Sequence, residues 1–407
     1  MRGKTKLISF FDLYGVQPWM LSISSDKEVI ILKDKKKKFK PYKDTAFTRT
    51  ARKQLQHINR HLEAAAIDLD LNDDEMTYLL SKMRKIESED IDDDPKHLSM
   101  FTNKTLRRVF SNSSFKLHGR FYGGWWQNIS EREKQIIDGK EVKVPVRYRE
   151  NITINGDNTV ELDYSSFHPK MLHDLAGIEM TDDPYVGIGD LDRDQGKSIF
   201  NIMINSVGED KAASRDIAIG AFMKKYRDER MTKEGANEAI EAVLERHPRL
   251  KKCFFSGKGL KLMFYDSQIA NNVMLRAIDE FQTVVLPVHD SFICIMEFEE
   301  ELRQLMEEEY IEVMKTKVPA GIDLEHSDYY VTDEEKSYEE EYGALYDSDI
   351  PLDPKQKLRQ AALEKQAGET RKKYRIKFED AFKPESVSDK YSPQNEDDVI
   401  CTNSDST

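Results

Sequence analysis

The chain predicts an α+β fold, an antiparallel sheet covered by helices, and three observations lead there. From Val160 to Asp163 apolar and polar residues alternate as in a half-buried strand, which delivers a carboxylate where the chain turns out of it. From Val284 to Ile295 the chain is apolar on both sides of His289 and Asp290, so that pair sits on a turn between two largely buried strands. Long stretches with apolar residues at helical spacing lie between and after these runs, Leu262 to Phe281 and Phe298 to Met314 above all.

The 407 residues are enough for one large or two ordinary domains. Charged residues make up 34% of the chain, which predicts solubility and some unstructured length. A net charge of −13 argues against a nucleic-acid partner until its distribution is read. The first sixty residues are basic, with Lys33, Lys35, Lys36, Lys37, Lys38 and Lys40 in one run, and the acids collect after Gly321. Cys253, Cys294 and Cys401 have neither disulfide nor metal-ligand spacing, which predicts a reducing compartment. No apolar run approaches a membrane span and no signal-peptide core opens the chain, so a cytoplasmic protein without a membrane partner is expected.

Taken in order, residues 1–45 read as a basic arm or hairpin. Its lysine run reads equally as contact with nucleic-acid backbone or as a solvated loop. From Thr48 to Ile67, Leu55, Ile58, Leu62 and Ala65 repeat at helical spacing, and Met76, Leu79, Leu80 and Met83 suggest a second helix before the acidic loop Glu87 to Pro95. Gly123 and Gly124 allow close backbone approach, while Trp125 and Trp126 offer either stacking area or a core hairpin. Asn151 to Asn158 alternates and turns, a hairpin leading into Val160. Pro169 opens a helix with Met171, Leu172 and Leu175 inward. Arg193 and Lys197 share one helix face. Alone, such a pair is usually a surface face with Asp192 and Asp194; placed between two acid-bearing turns, it suits a triphosphate. Helices follow from Ala212 to Arg227 and Lys233 to Arg246, broken near His247 and Pro248. On the long helix after them, Asp266, Gln268 and Asn271 are polar candidates for contact with a nucleic-acid ligand. Residues 331–407, acidic and then mixed in charge, predict a tail without a packed core.

Lone acids on adjacent strand tips suit two-metal chemistry, because hard divalent cations take carboxylate oxygens. At this point the chain resembles the family A DNA polymerases. Asp163 to His168 resembles the family's first palm motif and Val288 to Ser291 its last. Arg193 and Lys197 are similar to the fingers helix, and Gly119 to Ile129 to the segment preceding the palm. The likeness covers roughly residues 115–330, with a more distant one to the single-subunit RNA polymerases. It implies a right-hand fold: an antiparallel palm and helical fingers over 115–330, and a reduced helical thumb over 46–114.

The resemblance further implies a template-directed nucleotidyltransferase that extends a primer 3′-hydroxyl with deoxynucleoside triphosphates; no stretch of the N-terminal region is long enough to read as a proofreading domain, so none is expected. Asp163, Asp290 and the Tyr164 carbonyl would hold two Mg2+ ions, with Mn2+ as a substitute. Arg193 and Lys197 would neutralise the phosphates, and Tyr164, His168 and Asn205 would complete the nucleotide site. Arg120, Gln127, Asn128, Gln268 and His289 would touch primer and template. Four positions depart from the pattern. Ser291 stands where the DNA polymerases have an acid, as in the RNA polymerases; His168 replaces a Glu; Asn205 and Ser206 replace Tyr-Gly. Two rival readings follow, an RNA polymerase or primase-like enzyme and a catalytically silent palm that binds primer-template. The intact set Asp163, Arg193, Lys197 and Asp290 argues against silence.

Overall fold

A computed structural model describes residues 28–71, 79, 103–129, 132–137, 140–145, 148–227 and 229–326. Its central sheet is laid around β8 (Asp157–Tyr164). One edge of β8 pairs antiparallel with β10 (Ser291–Ile295), and β10 with β9 (Leu286–Val288). Its other edge takes β7 (Ile152–Ile154) near its start and β11 (Ile322–His326) near its end, and β2 (Ile67–Leu69) extends the sheet beyond β7. Alternation then sorts the side chains of β8. Val160, Leu162 and Tyr164 face the core, where the Tyr164 hydroxyl donates to the Met306 carbonyl of α7 (Glu299–Met314) at 2.6 Å. Glu161 and Asp163 take the opposite face.

A second sheet joins β1 (Ile30–Leu32) in parallel to β3 (Arg107–Phe110), and β3 antiparallel to β4 (His118–Tyr122). The strands β5 (Arg132–Ile137) and β6 (Lys140–Pro145) form a separate ribbon. Between the two acid-bearing turns the chain is helical: α2 (Phe167–Leu175), α3 (Arg193–Asn205), α4 (Lys211–Lys225), α5 (Lys233–Arg246) and α6 (Gly259–Phe281). These match the helices expected from apolar spacing to within a turn. Among the described residues no helix is long and apolar enough to cross a membrane.

In the stretch 46–114, expected as a helical thumb-like unit, the described residues hold strands as well as a helix. Helix α1 (Ala46–Ala64) is real, with Thr45 and Thr48 forming a reciprocal capping box and Ala51, Leu55, Ile58 and Leu62 buried along one face. It ends three residues before Ile67, because Ile67 is a strand residue of the central sheet. Lys104 closes the helix, its ammonium donating to the Glu63 and Ala65 carbonyls at 2.8 and 2.6 Å, and burial lowers its pKa to about 8. Asn59 pins the chain entering β3 through two bonds to the Leu106 backbone, at 2.9 and 2.8 Å. So α1, β2 and β3 belong to the common core. Of the second expected helix, Leu79 alone is described, as a buried helical residue. Residues 1–27 of the basic arm and the whole 331–407 tail lie outside the described residues.

Trp125 and Trp126 are core residues, 1% and 0% exposed, so they offer no stacking surface. Trp126 donates its indole N–H to the Pro287 carbonyl at 3.1 Å.

Candidate active site

The two acids come together at one end of the central sheet. Ser291 lies directly across from Asp163 in the β8–β10 register, and Asp290 immediately precedes Ser291. Asp163 thus lies next to the last residue of one strand while Asp290 sits on the two-residue turn leading into its neighbour. His289, the first residue of that turn, has φ +59°, the left-handed backbone that a tight hairpin requires and that glycine usually supplies. A non-glycine there stores roughly 1–2 kcal/mol, which the paired strands on both sides hold in place. A third acid escaped the sequence reading: β11 places Asp323 directly opposite Asp163. Like charges facing each other across a sheet destabilise it unless a cation lies among them.

Glu161, on the same face, is buried and fully engaged. It accepts from Arg149 at 2.8 and 3.1 Å and from the Ser291 hydroxyl. Ser291 therefore tethers the turn to the neighbouring strand.

Arg120 reaches the acids from β4. Gly119, at φ +80°, lets that strand press against α6, where a Cβ would come within 2.7 Å of the Ser267 hydroxyl. Across the contact Arg120 donates its Nε to Asp266 at 2.6 Å, and its Nη2 lies 3.5 Å from His168 Nε2. Burial pushes the Asp266 carboxyl up to about 7; Arg120 opposes the shift and the Asp290 charge adds to it. His168 is driven the other way, to about 4, by burial and by Arg120, with Asp290 opposing. It is neutral at pH 7 and rests on the guanidinium. Burial lowers His289 as well, and its ring meets Tyr122 edge-on at 5.9 Å.

Asp290 also faces the helical side, where its charge reaches Tyr185. Gly196 of α3 lies so close to the Tyr185 carbonyl that a Cβ would collide with it, so the 183–188 loop is docked on the helix. Tyr185 packs under the Arg193 guanidinium with 5.6 Å to the ring centre and hydrogen-bonds Asn201. Arg193 itself donates to Asp183 at 2.7 Å. Lys197, Asn201 and Asn205 line a cavity of about 720 Å³ together with Ser198, Lys225 and Tyr226. In that cavity the Tyr226 hydroxyl bonds Ser198 at 2.8 Å, and Asn205 donates to the Asn201 carbonyl at 2.8 Å.

The structure therefore brings Asp163, Asp290, Arg120, His168 and His289 together, with Arg193 reached through Tyr185 and with Lys197 and Asn205 in the adjoining cavity. It holds other expected residues apart. Gln127 binds the Gly123 N–H and the Phe121 and Pro287 carbonyls. Gln268 is buried beneath Arg108, which donates to its side chain. Asn128 is exposed beside the buried tryptophans. Tyr164 contributes its backbone to the strand end, its ring being in the core. Glu161, Tyr185 and Asp323 lie at the site although no motif announced them, and Asp266, expected to touch template or primer, holds Arg120 instead.

Among the described residues no three His, Cys, Asp or Glu side chains converge as a ready-made ion cage. A carboxylate pair still fits Mg2+, which binds one or two carboxylates and completes its shell with substrate phosphate and water.

No protein-family model and no curated protein matches the chain. Among solved structures, the chain is similar to the "POL domain of Pol1 from M. smegmatis complex with DNA primer-template and dNTP" at 14% identity and a TM-score of 0.29, over 54% of this chain. The matched region spans 46% of that chain, about half its length. A likeness at that level assigns no residue and no activity.

Proposed function

We propose that the chain is a template-directed nucleotidyltransferase that extends a primer 3′-hydroxyl with deoxynucleoside triphosphates. The observation that carries this reading is the pairing of Asp163 with the Asp290 turn on adjacent strands, flanked by Arg120 on one side and the Arg193 helix on the other. Asp163, Asp290 and the Tyr164 carbonyl would hold Mg2+, which when bound supplies electrostatic stabilisation of phosphoryl oxygens and acidifies the attacking hydroxyl. Arg193 and Lys197 neutralise the triphosphate, and Lys197 can return a proton to the departing pyrophosphate. Arg120 and His289 face the primer end. DNA primer-template and deoxynucleotides are the partners this reading requires.

Primer extension tests it. Asp163→Asn and Asp290→Asn should each lower turnover about a thousandfold or more while primer-template binding stays near normal. Near-wild-type turnover in magnesium for either variant would refute the assignment.

Sugar selection admits a second reading. His168 leans on Arg120, and Asn205 is short and bound to its own helix, so no large side chain is fixed as a gate. That favours tolerance of ribonucleotides, as in an RNA polymerase or primase. Comparing kcat/KM for deoxy- and ribonucleotides in wild type and His168→Gly decides the point. A gate at His168 predicts that ribonucleotide use rises about ten- to hundredfold; an unmoved ratio favours the second reading.

A further inference from the structure

The lysine run between β1 and α1 is held in one shape. Lys33 and Phe39 bridge across a turn in which Asp34 organises the backbone. The Asp34 carboxylate accepts from the Lys36 and Lys38 N–H groups at 2.8 and 2.9 Å, and the Asp34 N–H donates to the Lys38 carbonyl at 2.9 Å. The one acid inside the run is thereby committed to the backbone. Lys35, Lys36, Lys37, Lys38 and Lys40 project into solvent from a fixed frame. Among them Phe39, an aromatic ring at a bridge position, is 62% exposed among the described residues.

We propose that this turn binds single-stranded nucleic acid, with Phe39 stacking on an unpaired base and the lysines contacting the flanking phosphates. Cations that follow a backbone and an aromatic ring open to a base face are the two components of sequence-tolerant strand binding. A duplex keeps its bases stacked on one another and offers the ring nothing, so the ring selects an open strand. The turn is tied to the sheet that carries Arg120, the Lys33 N–H donating to the Phe110 carbonyl of β3 at 2.9 Å and β3 pairing with β4. The charge of Lys33 acts on His118, His118 Nε2 lies 3.0 Å from the Tyr122 hydroxyl, and Tyr122 meets His289. A strand held by the turn would run along the β1–β3–β4 sheet towards the Asp290 turn. The inference does not need the acid pair to be catalytic, because its readout is binding.

The full chain is titrated against a fluorescent oligothymidylate and an abasic oligomer of equal length at several salt concentrations. Combined Lys35→Ala, Lys36→Ala and Lys38→Ala should weaken both ligands and make the log–log salt slope shallower by about 2, from roughly 0.7 per phosphate contact. Lys37 is left alone because its φ is +62°, and Asp34 stays to hold the frame. Phe39→Ala should weaken the oligothymidylate about five- to hundredfold and leave the abasic oligomer unchanged. Unchanged affinity and slope in the lysine variant overturn the proposal, as does an equal effect of Phe39→Ala on both ligands. Binding of the oligothymidylate that phosphatidylserine vesicles displace, and whose displacement needs Phe39, would assign the turn to a membrane instead. Loss of extension in Asp290→Asn with strand binding intact leaves this inference standing.

Discussion

Two arginine–carboxylate pairs flank Asp290, and they differ in depth. Arg120 and Asp266 join β4 to α6 with side chains 12% and 2% exposed. Arg193 and Asp183 join α3 to the preceding loop with side chains 52% and 34% exposed. The chemistry is the same and the consequence is opposite. A buried pair cannot exchange partners, because each charge left alone would face the desolvation cost by itself. It fixes a guanidinium in space. An exposed pair contributes little, since water and salt compete for both partners, and a phosphate can take the place of the carboxylate. The comparison teaches that one arginine is a fixture, while the other is a hand, exposed enough to exchange Asp183 for a phosphate if the proposed nucleotide site is right.

The sharpest way to break this contrast is to remove each carboxylate in turn. Asp266→Ala should destabilise the protein by about 3–5 kcal/mol, the usual cost of stranding one member of a buried pair. Asp183→Ala should cost less than about 1 kcal/mol. Urea unfolding above pH 7, where Asp266 is ionised, measures both. Equal costs would erase the distinction between fixture and hand.

Neither role was legible in the sequence, although their surroundings were. The acid-bearing turns could be read because strand alternation and a double apolar run are local patterns, and the Arg193–Lys197 face because helical spacing is local too. Asp266 is one polar residue on a long helix, and nothing within that helix says that Gly119 lets β4 come near enough for Arg120 to reach it. Glu161 read as the polar half of an alternation, yet it is buried by Arg149 and Ser291. Asp323 meets Asp163 only because β11 returns to β8. The helix expected over Thr48 to Ile67 overran for the same reason. Ile67 continues the apolar spacing of α1, but the helix stops where Lys104, far along the chain, caps it. Local periodicity writes the elements; the pairs between distant elements, which set depth and charge, are written nowhere in one stretch.

Acid should loosen the exposed side through His247, which braces the loop carrying Asp183 and Tyr185. Its Nε2–H donates to the Pro184 carbonyl at 2.8 Å and its ring meets Phe200 at 5.2 Å. Burial lowers its pKa to about 4, against an ordinary value near 6.5. Between those values the unfolded chain binds the proton and the folded chain does not. The stabilising contribution is therefore complete above about pH 6.5 and is lost as the pH falls towards about 4, up to about 3 kcal/mol in all. Urea midpoints measured across that range should fall with pH, and His247→Gln should make the fall shallower, the remainder belonging to other buried histidines such as His168 and His118. A variant as acid-sensitive as wild type would show that His247 is not the proton acceptor that matters.

The smallest effect is the most direct test of the hand. Asp183 accepts from Arg193, and the 2.7 Å contact holds the carboxylate below its ordinary pKa despite the burial that would raise it. On the proposed function, Arg193 would have to release that carboxylate to neutralise a triphosphate, and Asp183 would compete with the ligand. Asp183→Asn keeps the size and removes the charge. The variant should bind a nucleoside triphosphate a few times more tightly, because an exposed pair is worth no more than about 1 kcal/mol, or roughly fivefold. Turnover should change little, since Asp183 touches no reacting atom, and the gain should shrink as salt is added. Equilibrium binding of a triphosphate to Asp183→Asn, to Arg193→Ala and to the double variant completes the cycle. If Arg193 is the released hand, Asp183→Asn has no effect once Arg193 is gone. A gain that persists in the double variant would mean that Asp183 repels the ligand directly, and the two arginines would then not differ in the way their depths suggest.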